Sequence, residues 1–205
     1  MSNTDKKSAN SIWDKIVGFV AMVWLRYIKP HWSHFRWRDR LAGDTLPVPK
    51  NIITRADIQS FLNECYPVFD WTMDGITELT DSYRPLPYLY NEYYDAKKAG
   101  GGNKFKDDCD GYHSVVWHVL NANSIECALI TLVTKPFTKS HTMCAYKATE
   151  GGRTVYYVID YNWIRGVYTS LEDFVNAYKL PVRYWQLDKY DYGKRKFYYV
   201  DKNKF

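Results

Sequence analysis

The residue best suited to chemistry is Cys109, in the run DDCDGYHSVVWHVL, where it follows Asp107 and Asp108 and opens a helical stretch. A thiol at a helix start sits among N–H groups at the positive end of the helix dipole. Both favour thiolate, the nucleophilic form. The flanking aspartates push the other way by like-charge repulsion, and Asp108 also has a plain role as the helix cap. A catalytic thiol needs a base, and the histidines are His31, His34, His113, His118 and His141. The first two belong to the N-terminal segment, and His118 points away from Cys109. His113, four residues after Cys109 on the same helix face, is a real rival. His141 arrives from a strand and so has a clearer approach to a substrate. A hairpin turn centred on Glu150-Gly151 sets it opposite Asp160, with Cβ atoms about 4.5–5.5 Å apart. A carboxylate there fixes the imidazole tautomer and stabilises the imidazolium. A three-residue loop would shift that register by one.

Three motifs stand in order: DDCDGY (107–112), SHTMCAY (140–146) and VIDYN (158–162). A Cys opening a helix after an acid, a His starting a strand, and an Asp ending the next strand resemble the transglutaminase-like superfamily, in particular the bacterial transglutaminase-like cysteine peptidases. The resemblance covers about residues 100–165 of the chain. It implies a papain-related α+β fold, with the nucleophile's helix packed on an antiparallel sheet. It also implies a Cys109–His141–Asp160 triad, in which His141 activates the thiol and Asp160 orients His141. The acyl-enzyme then passes to water in a peptidase or amidase, or to an amine in a transglutaminase. The oxyanion hole would use the Cys109 backbone N–H and an upstream side chain, Asn103 by analogy, with Trp71 and Asn91 as alternatives. No cofactor and no metal are implied. Gly111 stands where a second acid is common in these peptidases, which weakens any inference about calcium, and Asp107, Asp108 and Asp110 read as a solvated helix cap ahead of a cation site.

The elements that must position these residues follow from periodicity. Apolar residues from Ile12 to Ile28 recur with a helical period that Pro30 should end. The basic-aromatic run HWSHFRWRDR follows, and LAGDTLPVPK (41–50) reads as a linker. The polar residues 1–11 carry no structural signal. Thr54 with Asp57 marks a helix start, 66–100 resists assignment, and AGGGN (99–103) reads as a loop. A helix opens near Asp108 and runs to about Leu120. Strands are expected over 127–134, 140–148 and 153–160, then a helix opened by Ser170 and Asp173, then strands VRYWQL and KFYYV. Helices first and an antiparallel sheet after them is an α+β layout. The domain expectation is an N-terminal helical, basic-aromatic extension over 1–45 and a cysteine-enzyme domain over 46–205.

Bulk properties set the bounds. The 205 residues suffice for a real core, and the net charge of +5 permits an acidic partner without requiring one. With 19 Tyr, 8 Trp and 9 Phe, the chain is rich in residues that combine apolar area with a polar tip. Cys65, Cys109, Cys127 and Cys144 form no CxxC pair, which argues against a zinc ribbon or thioredoxin-type motif, and free thiols are expected. The apolar stretch 16–25 lacks a cleavage site and is too short to span a bilayer, so a cytoplasmic or virion-associated protein is expected. Together these readings point to a thiol-dependent peptidase acting on a protein or peptide. The rivals are a transglutaminase-type acyltransferase and a non-catalytic assembly protein, such as a phage virion component, that retains the fold. For residues 12–40, packing within the protein or its assembly is expected ahead of a membrane surface or nucleic acid.

Overall fold

Five of the six α-helices among the described residues precede the main antiparallel sheet along this chain, and helices and sheet pack as layers of an α+β fold. The structure is a computed structural model that describes residues 11–37, 46–72, 83–100, 102 and 104–205. The polar leader up to residue 10, the first half of the expected linker (41–45), and Gly101 and Asn103 of the glycine loop lie outside the described residues.

Helix α1 (Ile12–Val23) starts at Ser11, whose hydroxyl accepts the Asp14 N–H. It does not stop at Pro30 as expected. A π-helical turn, Trp24–Ile28, joins it to α2 (Lys29–Arg36). Pro30 falls in the first turn of α2, where a missing N–H leaves no bond unmade. The Lys29 N–H reaches back to the Trp24 carbonyl, a five-residue step that absorbs the proline.

Helix α3 (Arg55–Cys65) opens with the capping box of Thr54 and Asp57. The stretch that resisted assignment holds β1 (Phe69–Trp71) and α4 (Leu86–Lys98). Strand β1 pairs in parallel with β2 (Phe105–Asp107), which leads into α5 (Cys109–Ala122). Then follow β3 (Cys127–Thr134), β4 (His141–Glu150), β5 (Arg153–Asp160), β6 (Trp163–Tyr168), α6 (Leu171–Ala177), β7 (Val182–Asp191) and β8 (Lys196–Val200). Strand β6 was not foreseen. The sheet is antiparallel throughout, in the order β6-β5-β4-β3-β7-β8.

Alternation along the strands gives the sheet two apolar faces. Cys127, Leu129, Cys144, Tyr146, Tyr157 and Ile159 face a core shared with α3, α4 and α5. Ala128, Ile130, Met143, Ala145 and Val158 face α6 and Phe205. From Cys109 to Leu120 every residue of α5 is buried, including the polar Asp110, His113, Ser114 and His118, so the helix has no solvent-facing stripe.

The N-terminal helices are built into this body. Gly18 packs so closely on the Arg183 carbonyl that a Cβ would lie 2.9 Å from its oxygen. Asp14 accepts from Arg183 Nε at 2.6 Å, and Arg26 donates to the Tyr184 hydroxyl while lying over the Tyr199 ring. The Tyr83 N–H donates to Ser33. Lys29 is buried, with Nζ 2.9 Å from Asp110 Oδ2 and over the Tyr83 ring. Removing one member of a buried ion pair leaves the other charge stranded and costs about 3–5 kcal/mol. Lys29→Ala is therefore expected to destabilise the protein by about that much in denaturant unfolding. Lys29→Met combined with Asp110→Asn should recover most of the loss.

Candidate functional site

Cys109 is the first residue of α5, with Asp108 as the cap: Asp108 Oδ1 accepts the Asp110 N–H at 3.0 Å. The sulfur accepts the backbone N–H of Thr142 at 3.3 Å, so the start of the helix is laid against the start of β4. That donor, like the helix start, favours negative charge on sulfur.

The aspartates around Cys109 are not a solvated cap. Asp107, Asp108 and Asp110 are all buried, with carboxylate oxygens within 4.8 Å of one another. Arg84 holds Asp107 at 2.7 Å, and Lys29 holds Asp110 at 2.9 Å. Each cation offsets the repulsion that its aspartate would exert on a thiolate. Burial works against the Arg84 charge, but Asp107 and Glu92 outweigh it and hold its pKa above the ordinary value. Gly111 has a steric cause. A Cβ there would lie 2.1 Å from the carboxyl carbon of Asp107, so the packing of that carboxylate excludes any side chain at 111.

His141 and Asp160 meet, though not through the expected register. The β4–β5 turn is Gly151-Gly152, with φ of 56° and 75°, the two-residue turn that suits twisted hairpins and that Gly-Gly adopts without strain. The ladder runs from Glu150↔Arg153 to Cys144↔Ile159, so the expected pairing of His141 directly with Asp160 is displaced by two residues. A two-residue shift keeps both side chains on one face. They meet diagonally, with His141 Nε2 2.9 Å from Asp160 Oδ1. Arg165 donates to Asp160 Oδ2 from β6. Burial alone would raise the Asp160 pKa. The hydrogen bond and charge of His141, with His113 and Arg165, prevail and hold the carboxyl below the ordinary range.

His113 is no base here, because both of its nitrogens are in use. The Tyr161 N–H donates to Nε2 at 3.0 Å, so the ring proton sits on Nδ1 and goes to the Cys109 carbonyl at 2.6 Å. Burial, reinforced by His141, lowers its pKa to about 3. The imidazole thus ties the first turn of α5 to the β5–β6 turn, where Tyr161 takes a left-handed φ of 54°. The Tyr161 ring lies between those of His113 and His141 and those of Phe69 and Tyr112. Its presence after Asp160 in VIDYN was the one sequence signal for this clamp.

Access to the thiol is narrow. Cys109 is 2 % exposed, whereas the His141 and Asp160 side chains are 14 % and 16 % exposed. Beside Tyr161 an open groove of about 590 Å³ is lined by Tyr66, Phe69, Asp70, Trp71 and Lys104 among others. Of the candidate oxyanion side chains, Trp71 lines this groove, Asn91 accepts the Leu46 N–H at 2.9 Å, and Asn103 lies outside the described residues. His118 is buried against Tyr90 and Tyr192, and His31 and His34 are exposed on α2. All four cysteines are free thiols. Burial pushes Cys65 up to about 12 and raises Cys144 as well, so both are poor nucleophiles.

No family model, curated protein or solved structure matches this chain.

A histidine buried neutral makes folding sensitive to acid. The folded pKa of His113 is depressed from 6.5 to about 3, so its contribution is complete above pH about 6.5 and is lost as pH falls toward 3. Asp188, raised to about 7 by burial, slopes the opposite way, so the wild-type curve alone is ambiguous. The difference between wild type and His113→Gln isolates the imidazole. Between pH 6 and 4 the stability difference should change by about 1.4 kcal/mol per pH unit in urea unfolding. Parallel curves would show that His113 is not buried neutral.

Proposed function

We propose that this protein is a thiol-dependent amide hydrolase, a cysteine peptidase of the papain/transglutaminase-like kind, acting through Cys109, His141 and Asp160. The observation that carries the reading is the 2.9 Å bond between His141 Nε2 and Asp160, formed one residue from the N–H that holds the Cys109 sulfur. With Nε2–H donated to the carboxylate, Nδ1 carries the lone pair and is the basic nitrogen.

In this reading Nδ1 takes the thiol proton and the sulfur attacks an amide carbonyl carbon. The developing oxyanion is met by the backbone N–H at the first turn of α5. The imidazolium, stabilised by Asp160, returns its proton to the leaving amine, and water releases the acyl group by the same steps in reverse. An amine in place of water would give acyl transfer. The groove beside Tyr161 offers aromatic walls to a peptide chain.

A second reading, a non-catalytic assembly protein that keeps the fold, is favoured by the 2 % exposure of Cys109. Iodoacetamide at neutral pH separates the two. As an enzyme, the protein should label at Cys109 well ahead of Cys65, Cys127 and Cys144, and Cys109→Ala and His141→Ala should each abolish hydrolysis of fluorogenic peptide amides. Asp160→Asn should leave measurable activity, lowered by up to about 10⁴-fold. Slow and equal labelling of all four thiols would discard the enzyme in favour of the assembly protein.

A further inference from the structure

The arm formed by α1 and α2 has two faces, and only the inner one is accounted for by packing on the body. The outer face presents Ile12, Trp13, Phe19, Val20, Tyr27 and Phe35, exposed by 76, 74, 63, 60, 59 and 62 %. Soluble proteins scatter such residues singly, and a contiguous strip of this kind marks a contact surface. The exposed lysine, arginine and histidine side chains between residues 11 and 37 are Lys15, His31, His34 and Arg36. The one acid in that segment, Asp14, is buried beneath Arg183 and Lys135. Among the described residues of the arm, the outward face is therefore apolar and aromatic, with bases toward both ends and no exposed carboxylate.

We propose that this face is a surface anchor for acidic lipid, with the arm lying in the plane of the headgroups and the body held above it. This inference is independent of the proposed catalytic function. Among the described residues no helix is long and apolar enough to cross a membrane, so the arm lies on the bilayer rather than through it. Its chemistry matches that mode: aliphatic and aromatic side chains enter the acyl boundary, and basic ones meet anionic headgroups. A second copy of the chain fits less well. A two-fold contact must be self-complementary, and this face would set bases against bases with no acid among its described residues to answer them. Nucleic acid also fits less well. Ile12, Val20 and their aliphatic neighbours neither stack on bases nor neutralise phosphates, and Lys15 and Arg36 are the permanent charges exposed on the face.

Flotation of the full chain with lipid vesicles tests the proposal. The protein should rise with phosphatidylcholine vesicles containing one-third phosphatidylserine. It should rise several-fold less with phosphatidylcholine alone, and less again as salt is raised. Trp13→Ser with Phe19→Ser should weaken binding more than tenfold, and Lys15→Gln should weaken it roughly fivefold. Each variant should keep the wild-type circular dichroism and unfolding midpoint, since these side chains point away from the core. Protein that stays down with both vesicle types overturns the proposal. So does equal flotation with both, or a vesicle-free dimer in sedimentation velocity that the Trp13/Phe19 variant abolishes. Binding to a single-stranded oligonucleotide in place of vesicles would overturn it as well.

Discussion

Three carboxylates are buried within a turn of Cys109, and charge in a protein interior must be paired or given up. Much of the architecture follows from that requirement. Arg84 precedes α4 and reaches Asp107, and Lys29 comes from the N-terminal arm and reaches Asp110. Segments far apart in sequence are thereby drawn to one helix start. With those two carboxylates paired, the dipole and the Thr142 N–H act on the sulfur against Asp108, whose carboxylate caps the same helix start.

The hairpin side of the site is fixed by a neutral contact. His113 accepts from Tyr161 and donates to the Cys109 carbonyl, so the turn after Asp160 is tied to the helix that begins at Cys109. A cationic imidazole has no acceptor site and would lose the bond from Tyr161, which is why burial and neutrality belong together here. The two histidines near the thiol thus have different protein roles. His113 holds position with both nitrogens engaged, while His141 keeps one nitrogen outside its bond to Asp160.

Local signals in the sequence were legible where a side chain answers its own backbone. The Thr54/Asp57 box, the Asp108 cap and the Ser170 cap each lie where the sequence placed a helix start. The buried strand CALITLVT could be read from its unbroken apolar run. Helix α4 could not, because its buried face is built from Tyr90 and Tyr93, residues that score as strand formers or surface aromatics. Pro30 misled because a π turn upstream moved it into a first turn. The register of β4 on β5 differs from the expected one because the turn falls at Gly151-Gly152, one residue beyond Glu150-Gly151, yet His141 and Asp160 still meet, since side chains alternate with a period of two. The Lys29–Asp110 pair was beyond reach, as nothing local marks a lysine for burial beside an acid 81 residues away.

The energetics of the arm decide how its two faces relate. Lifting it from the body would strand Asp110 without Lys29, a cost of about 3–5 kcal/mol, besides breaking the Asp14–Arg183 pair and exposing Ala21 and Leu25. Inserting one more apolar side chain into lipid returns about 1.5–3 kcal/mol. The outer face already offers such residues without any lifting, so a lipid surface has little to gain by prising the inner face free. Contact at the outer face therefore leaves Lys29 on Asp110. The start of α5 is then held at a fixed distance from whatever the arm rests on, because the same rigid helix carries both faces.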